Sequence, residues 1–267
     1  MKSVRSSSSP VVCLVIFALI LLCSALAMVR TSEAGTRYSA NIVGFSRVTV
    51  PPSNTATLAG MSFKPFDATL KGVIGTNQLR AAGNYSNADV VLFWDPISAQ
   101  YMQYALKTND YEFHNCLNLT EWNGPATNPV LTNGMGFFIR SPSDAVCARS
   151  VVIMGQAVDS PTQYIGMVSG KLQLVCYPYS SSIGIQQTDF ANDGAKRAAG
   201  SPNADQILIF TNYSVYVNYF LKTNGLWYCA DVTMALATNT FRVGQGFWYR
   251  SKKAFTWSET NCYQGSL

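Results

Sequence analysis

Ionisable side chains are what this sequence has least of. Only 12% of its 267 residues are Asp, Glu, Lys or Arg, and a single histidine, His114, occurs. The formal net charge of +5 is spread along the chain without any Lys/Arg block. That leaves no electrostatic footprint for nucleic acid, which is excluded as a partner. A Ser-His-Asp triad would need His114 beside a nucleophile, and no Gly-x-Ser-x-Gly elbow exists to present one. His114 is therefore expected on a surface loop. Cys-x-x-Cys and His-x-x-x-His spacings are missing, so neither a metal centre nor a cofactor is expected. The four glutamates, Glu33, Glu112, Glu121 and Glu259, form no repeated pair of the kind that glycoside hydrolysis requires. The expectation is a protein without catalytic activity.

Long apolar runs are missing after residue 29. Before it, Val11 to Val29 is almost wholly apolar, follows the basic Lys2 and Arg5, and contains the small-x-small triplet Ala25-Leu26-Ala27. Residues 1–27 read as an export signal. Membrane attachment is expected only through residues 11–29 if the segment stays uncleaved, since a span takes ~20 residues. Cleavage after Ala27 removes Lys2 and Arg5 and lowers the net charge from +5 to +3 (5−2). The expected location is extracellular or at the cell surface, with the periplasm as an alternative.

What the chain does have is a message said twice. Asn87-Ala88-Asp89 and the strand after it return as Asn203-Ala204-Asp205. Leu106-Lys107-Thr108-Asn109 returns unchanged at Leu221-Lys222-Thr223-Asn224, 115 positions later (221−106). Gly134-Met135-Gly136-Phe137-Phe138 returns as Gly244-Gln245-Gly246-Phe247-Trp248, and Arg80-Ala81-Ala82-Gly83 as Arg197-Ala198-Ala199-Gly200. Four echoes in one order indicate a tandem duplication, with one β unit over 38–158 and a second over 159–267. Short alternating or branched and aromatic runs dominate, such as Ile42 to Val50, Val90 to Trp94 and Ile207 to Phe210. The fold class is all-β: two tandem homologous antiparallel sandwich or barrel domains after an apolar export helix. Only Asp189 to Ala199, with an echo near Gln78 to Ala82, offers a helical stretch. Residues 110–133 read as a polar insertion of the first unit.

The glycine pairs lack the third glycine of a nucleotide loop and precede aromatic strands, so they are expected to make positive-φ turns or bulges. Five cysteines remain beyond Cys13 and Cys23. Cys116 and Cys147 lie 31 apart, Cys229 and Cys262 lie 33 apart, and Cys116 and Cys229 follow the shared Leu-Lys-Thr-Asn similarly. One bridge within each unit is expected, leaving Cys176 as a buried thiol. The echoed Asp89 and Asp205 are read as turn residues or as partners of Arg80 and Arg197. Asp189 and Asp193 have a faint calcium-loop look without the alternation of an EF-hand.

The motifs Val43-Gly44-Phe45, Leu92-Phe93-Trp94 and Gly134 to Phe138, with second copies at Ile165-Gly166-Met167, Leu208-Ile209-Phe210 and Gly244 to Trp248, resemble a group of secreted duplicated β-rich proteins of Planctomycetes, Verrucomicrobia and related bacteria. The resemblance covers most of the chain beyond the export segment. It implies an exported β-rich protein and carries over no activity and no residue role.

Two functional expectations follow. The first is a non-catalytic exported protein of the cell surface or extracellular matrix, structural or interacting, able to pair with itself through β edges. The second is a carbohydrate-binding module with one aromatic site per repeat, at Trp122 and Trp227, whose partner is a surface polysaccharide. A secreted hydrolase centred on His114 or two carboxylates ranks third.

Overall fold

A computed structural model describes residues 43–116, 123–125, 129–211, 215–231 and 233–262. The export segment 1–27 and Trp122 lie outside the described residues. The class is all-β, and every pair of named strands is antiparallel. The first half holds β1 (Val43–Val50), β2 (Ala56–Gly60), β3 (Val90–Asp95), β4 (Gln100–Leu106), β5 (Phe113–Asn115), β6 (Asn123–Pro125), β7 (Gly136–Arg140) and β8 (Arg149–Gln156). The second holds β9 (Thr162–Met167), β10 (Leu172–Cys176), β11 (Ile183–Gly184), β12 (Gln206–Thr211), β13 (Val215–Leu221) and β14 (Trp227–Cys229). It ends with β15 (Thr240–Phe241), β16 (Gly246–Arg250) and β17 (Phe255–Thr260).

The strand order matches between the halves over five strands of each large sheet, while among the described residues β6 has no named counterpart and the β11-β15 pair occurs only in the second half. One sheet runs β2-β7-β3-β4-β5-β6 and the other β10-β16-β12-β13-β14, while β1 pairs with β8 and β9 with β17. The literal echoes are less faithful than the fold. Asp89 N donates to Arg80 O, and Asp205 N donates to Lys196 O rather than to Arg197 O. Ala82 bridges Lys107 as Ala198, not Ala199, bridges Lys222. The Arg-Ala-Ala-Gly match is thus one residue out of register. Val50 pairs with Arg149 as Met167 pairs with Phe255, so Ile165-Gly166-Met167 stands opposite Val48 to Val50 and not Val43 to Phe45.

The central strands of both large sheets are largely buried on both faces, which is why they read as nearly continuous apolar runs. In β3 and β7, Val91, Phe93, Phe137 and Ile139 enter one core with Val151 and Ile153. In β12 and β16, Ile207, Ile209, Phe247 and Tyr249 enter another, with Trp227 and Trp257. The alternate residues, Val90, Leu92, Phe138, Leu174, Leu208 and Trp248, meet in a third cluster shared by both halves. Trp94 and Trp248 meet edge to face there at 5.4 Å. Residues 41–267 accordingly form one compact unit, with the halves pressed together on either side of the short joint near Asp159 to Thr162.

The glycine pairs do two jobs. Gly134 and Gly244 turn at φ 83° and 73°, as expected. Their partners Gly136 and Gly246 have another reason: a Cβ on Gly136 would stand 2.9 Å from Val175 O, and one on Gly246 would stand 2.4 Å from Ala59 O. The two sheets can approach only because these positions have no side chain.

Helix is sparse. α1 (Leu70–Ile74) starts at Thr69, whose Oγ1 accepts from Gly72 N, and stops at Gly75 with φ 75°. It lies upstream of the expected Gln78–Ala82 stretch, because the cap and the buried Leu70, Val73 and Ile74 decide its place. α2 (Phe190–Asp193) falls within the expected stretch but spans 4 residues. The insertion at 110–133 is also smaller than its length suggests, since β5 pairs with β4 as β14 pairs with β13.

Candidate functional site

The residues singled out from sequence prove mostly structural. Trp227 is 1% exposed and lies in the core, edge to face with Phe190 at 6.1 Å. Its ring faces are covered, so it offers no platform for a sugar. It holds the place of Phe113, each pairing with the leucine of the shared Leu-Lys-Thr-Asn. Trp122, its expected partner site, lies outside the described residues. His114 is on β5, not a surface loop, and 3% exposed, with Nε2 2.9 Å from Asp110 Oδ2. Its counterpart is Tyr228.

The expected bridges are not formed: Cys116, Cys147, Cys229 and Cys262 are free thiols. Cys116 N donates to Gln103 O, and in the second half it is Ala230 N that donates to Asn218 O. Cys229 is therefore one residue out of step with Cys116, and in a strand one residue reverses the face. Cys116 points into the shared cluster while Cys229 packs against the second core. Cys262 sits beside Ser181, with Sγ 3.1 Å from its Oγ, and Cys147 is exposed. Cys176 is buried and free, 3.2 Å from Ser62 Oγ.

The buried acids are likewise occupied. Asp89 accepts from Arg80 N at 2.7 Å and pairs with the Arg149 guanidinium, while the Arg80 guanidinium goes to Asp144. Asp205 has no ion pair to Arg197; it accepts from Lys252 N at 2.6 Å and Tyr249 OH at 2.9 Å. Burial pushes both carboxyls above their ordinary range, against the pull of these donors. Glu259, 1% exposed, stands where the first half has Ile153. It accepts from Trp257 Nε1 at 2.7 Å and Asp189 N at 3.1 Å. Burial, reinforced by Asp189 and Asp193, pushes it up to about 7. Asp193 accepts from Ser258 N and Oγ, and Asp189 from Thr260 N, so these two hold β17 instead of forming a cation loop. Among the described residues no three His, Cys, Asp or Glu side chains converge as metal ligands would.

Among the described residues an open groove of about 590 Å³ is lined by both halves. Arg47 and Thr49 of β1 reach it from the exposed side of a strand that buries Ser46, Val48 and Val50 in alternation. The facing wall is the turn before β16. There Gln245 N donates to Arg242 O at 3.0 Å, and the Gln245 amide oxygen accepts from Arg242 N at 3.0 Å. The turn is anchored by the wholly buried Ser62, whose Oγ accepts from Gly244 N at 2.8 Å and donates to Tyr177 O at 3.0 Å. Phe210, Thr211 and Asn239 complete the lining. No acidic residue lines the groove, and neither Arg47 nor Arg242 forms an ion pair among the described residues. Two desolvation-tolerant guanidinium groups over hydroxyls and amides suit a polar, anionic ligand. Sequence reading missed the site because its arginines lie at opposite ends of the chain and in neither motif. Comparison with family models, curated proteins and solved structures finds no match to this chain.

Proposed function

We infer that the chain is a non-catalytic exported interaction protein of the cell surface or extracellular matrix. It consists of two tandem homologous β units whose junction faces the ligand. The observation that carries this reading is the groove, to which both units contribute residues. Occupation of the buried acids by backbone and side-chain donors supports a binding role, since each is consumed in holding strands. Export itself is read from residues 1–27 and from the resemblance to secreted bacterial proteins.

Two of the strand edges that self-assembly could use are already covered. The outer edge of β14 is taken by residues 235–237, with Cys229 N donating to Ala235 O and Ala237 N to Trp227 O. β10 is capped at its end by Met135. The polysaccharide reading is favoured over it, moved from Trp227 to the groove. A glycan array probed with the intact exported chain tests the two together: binding is expected on surface-type polysaccharides, with a monomer on size exclusion. A blank array beside ordered oligomers would return the choice to assembly.

A further inference from the structure

We propose that the groove between the halves binds an acidic saccharide, a uronic or sulfated sugar within a chain, through Arg47 and Arg242. This rests on reading the groove as the ligand-facing surface. The fold does not require arginine at either place. Met135 N donates to Thr132 O as Gln245 N donates to Arg242 O, so Thr132 is the counterpart of Arg242 (244−134 equals 242−132). Tyr164 pairs with Ser258, three residues from the Met167–Phe255 pair, as Arg47 pairs with Val152, three from the Val50–Arg149 pair. Tyr164 is thus the counterpart of Arg47. At these two places the counterparts carry no charge, whereas the groove presents two exposed arginines with no ion pair among the described residues.

Two exposed cations lining one groove that has no acidic residue attract an anion. Guanidinium forks match the planar carboxylate and the sulfate oxygens. The remaining lining separates a saccharide from a bare anion. Thr49, Thr211 and Thr240 offer hydroxyls, Asn239 an amide, and the half-buried Phe210 ring, with Leu58, offers an apolar surface for the C–H face of a sugar. A groove of about 590 Å³ accepts a ligand of a few rings. Its open form lets a polymer enter and leave.

The experiment is calorimetric titration of the intact protein with four probes: an oligogalacturonate, a sulfated galactan oligosaccharide, a neutral cello-oligosaccharide and poly-glutamate. Binding is expected from at least one of the two acidic saccharides, and which one separates carboxylate from sulfate recognition. Arg47→Gln and Arg242→Gln should each weaken it by ~10-fold or more, the loss of one charge-assisted contact. Lys64→Gln, the same charge change on an exposed residue outside the groove, should leave it unaltered. Unchanged melting temperatures show that the variants fold. Equal binding of poly-glutamate overturns the proposal in favour of unselective charge attraction. Neutral-saccharide binding that survives both substitutions but falls in Phe210→Ala overturns it while keeping the groove as a ligand surface. No heat from any probe overturns both.

Discussion

Glu259 is the side chain whose chemistry departs furthest from its surroundings. It replaces an isoleucine of the first half, inside a core of tryptophan and tyrosine rings, and its neighbours Asp189 and Asp193 are acids. A carboxyl whose folded-state value lies above its unfolded one favours folding while protonated. That contribution is whole below about pH 4.5 and is lost as pH climbs through about 7. The loss amounts to about 3 kcal/mol by the pKa–free-energy relation. Thermal melts should therefore fall between pH 5 and pH 8, and Glu259→Gln, which keeps the acceptor without the charge, should flatten that slope. An identical slope in both proteins would assign the pH response to other groups. None of this was legible in sequence, where Glu259 is an unrepeated acid near a chain end. The cysteines fail the same way. Their spacing looked conserved between halves, but a one-residue step between Cys116 and Cys229 reverses the face, and spacing alone does not report register.

At the scale of elements, the glycine motif was legible as a turn and illegible as a contact. Gly134 and Gly244 announce positive φ through the company they keep, whereas the role of Gly136 and Gly246 depends on a strand from the other half. A methyl group on Gly246 would meet the Ala59 carbonyl and the Leu58 side chain at 2.4 and 2.9 Å. The carbonyl is fixed in the β2–β7 ladder and cannot yield. Gly246→Ala should lower stability by about 1–3 kcal/mol or more, the usual cost of overpacking a closed contact. Gly166→Ala is the control: its Cβ would meet nothing within 4 Å, and a change within about 0.5 kcal/mol is expected. Denaturant midpoints that shift alike in both variants would show that strand propensity, not the sheet contact, sets the loss. The central strands β3, β7, β12 and β16 were readable because both of their faces are largely buried and so they run mostly apolar. α1 was not, because five residues with one cap give no periodic signal.

For the whole molecule, the decisive question is whether the halves can live apart. Each has an oily centre of its own, which suggests autonomy. The third cluster opposes this. Cutting the chain at the joint uncovers Val90, Leu92 and Phe138 on one sheet and Leu174, Leu208 and Trp248 on the other. Exposed apolar faces of this extent drive association or aggregation in water. The glycine contacts and the Ser62 anchor, which holds the Gly244 turn across the junction, are lost at the same time. Residues 38–158 and 159–267 expressed separately should be insoluble or self-associated. Expressed together they should recover a one-to-one complex that melts cooperatively. The same cut should abolish the proposed saccharide binding in either half, because Arg47 and Arg242 would no longer share a groove. A monomeric, cooperatively melting half would mean that the shared cluster contributes little, and that the junction is a surface contact between two finished domains. Co-purified halves that bind as the intact chain does would place both stability and recognition in the junction.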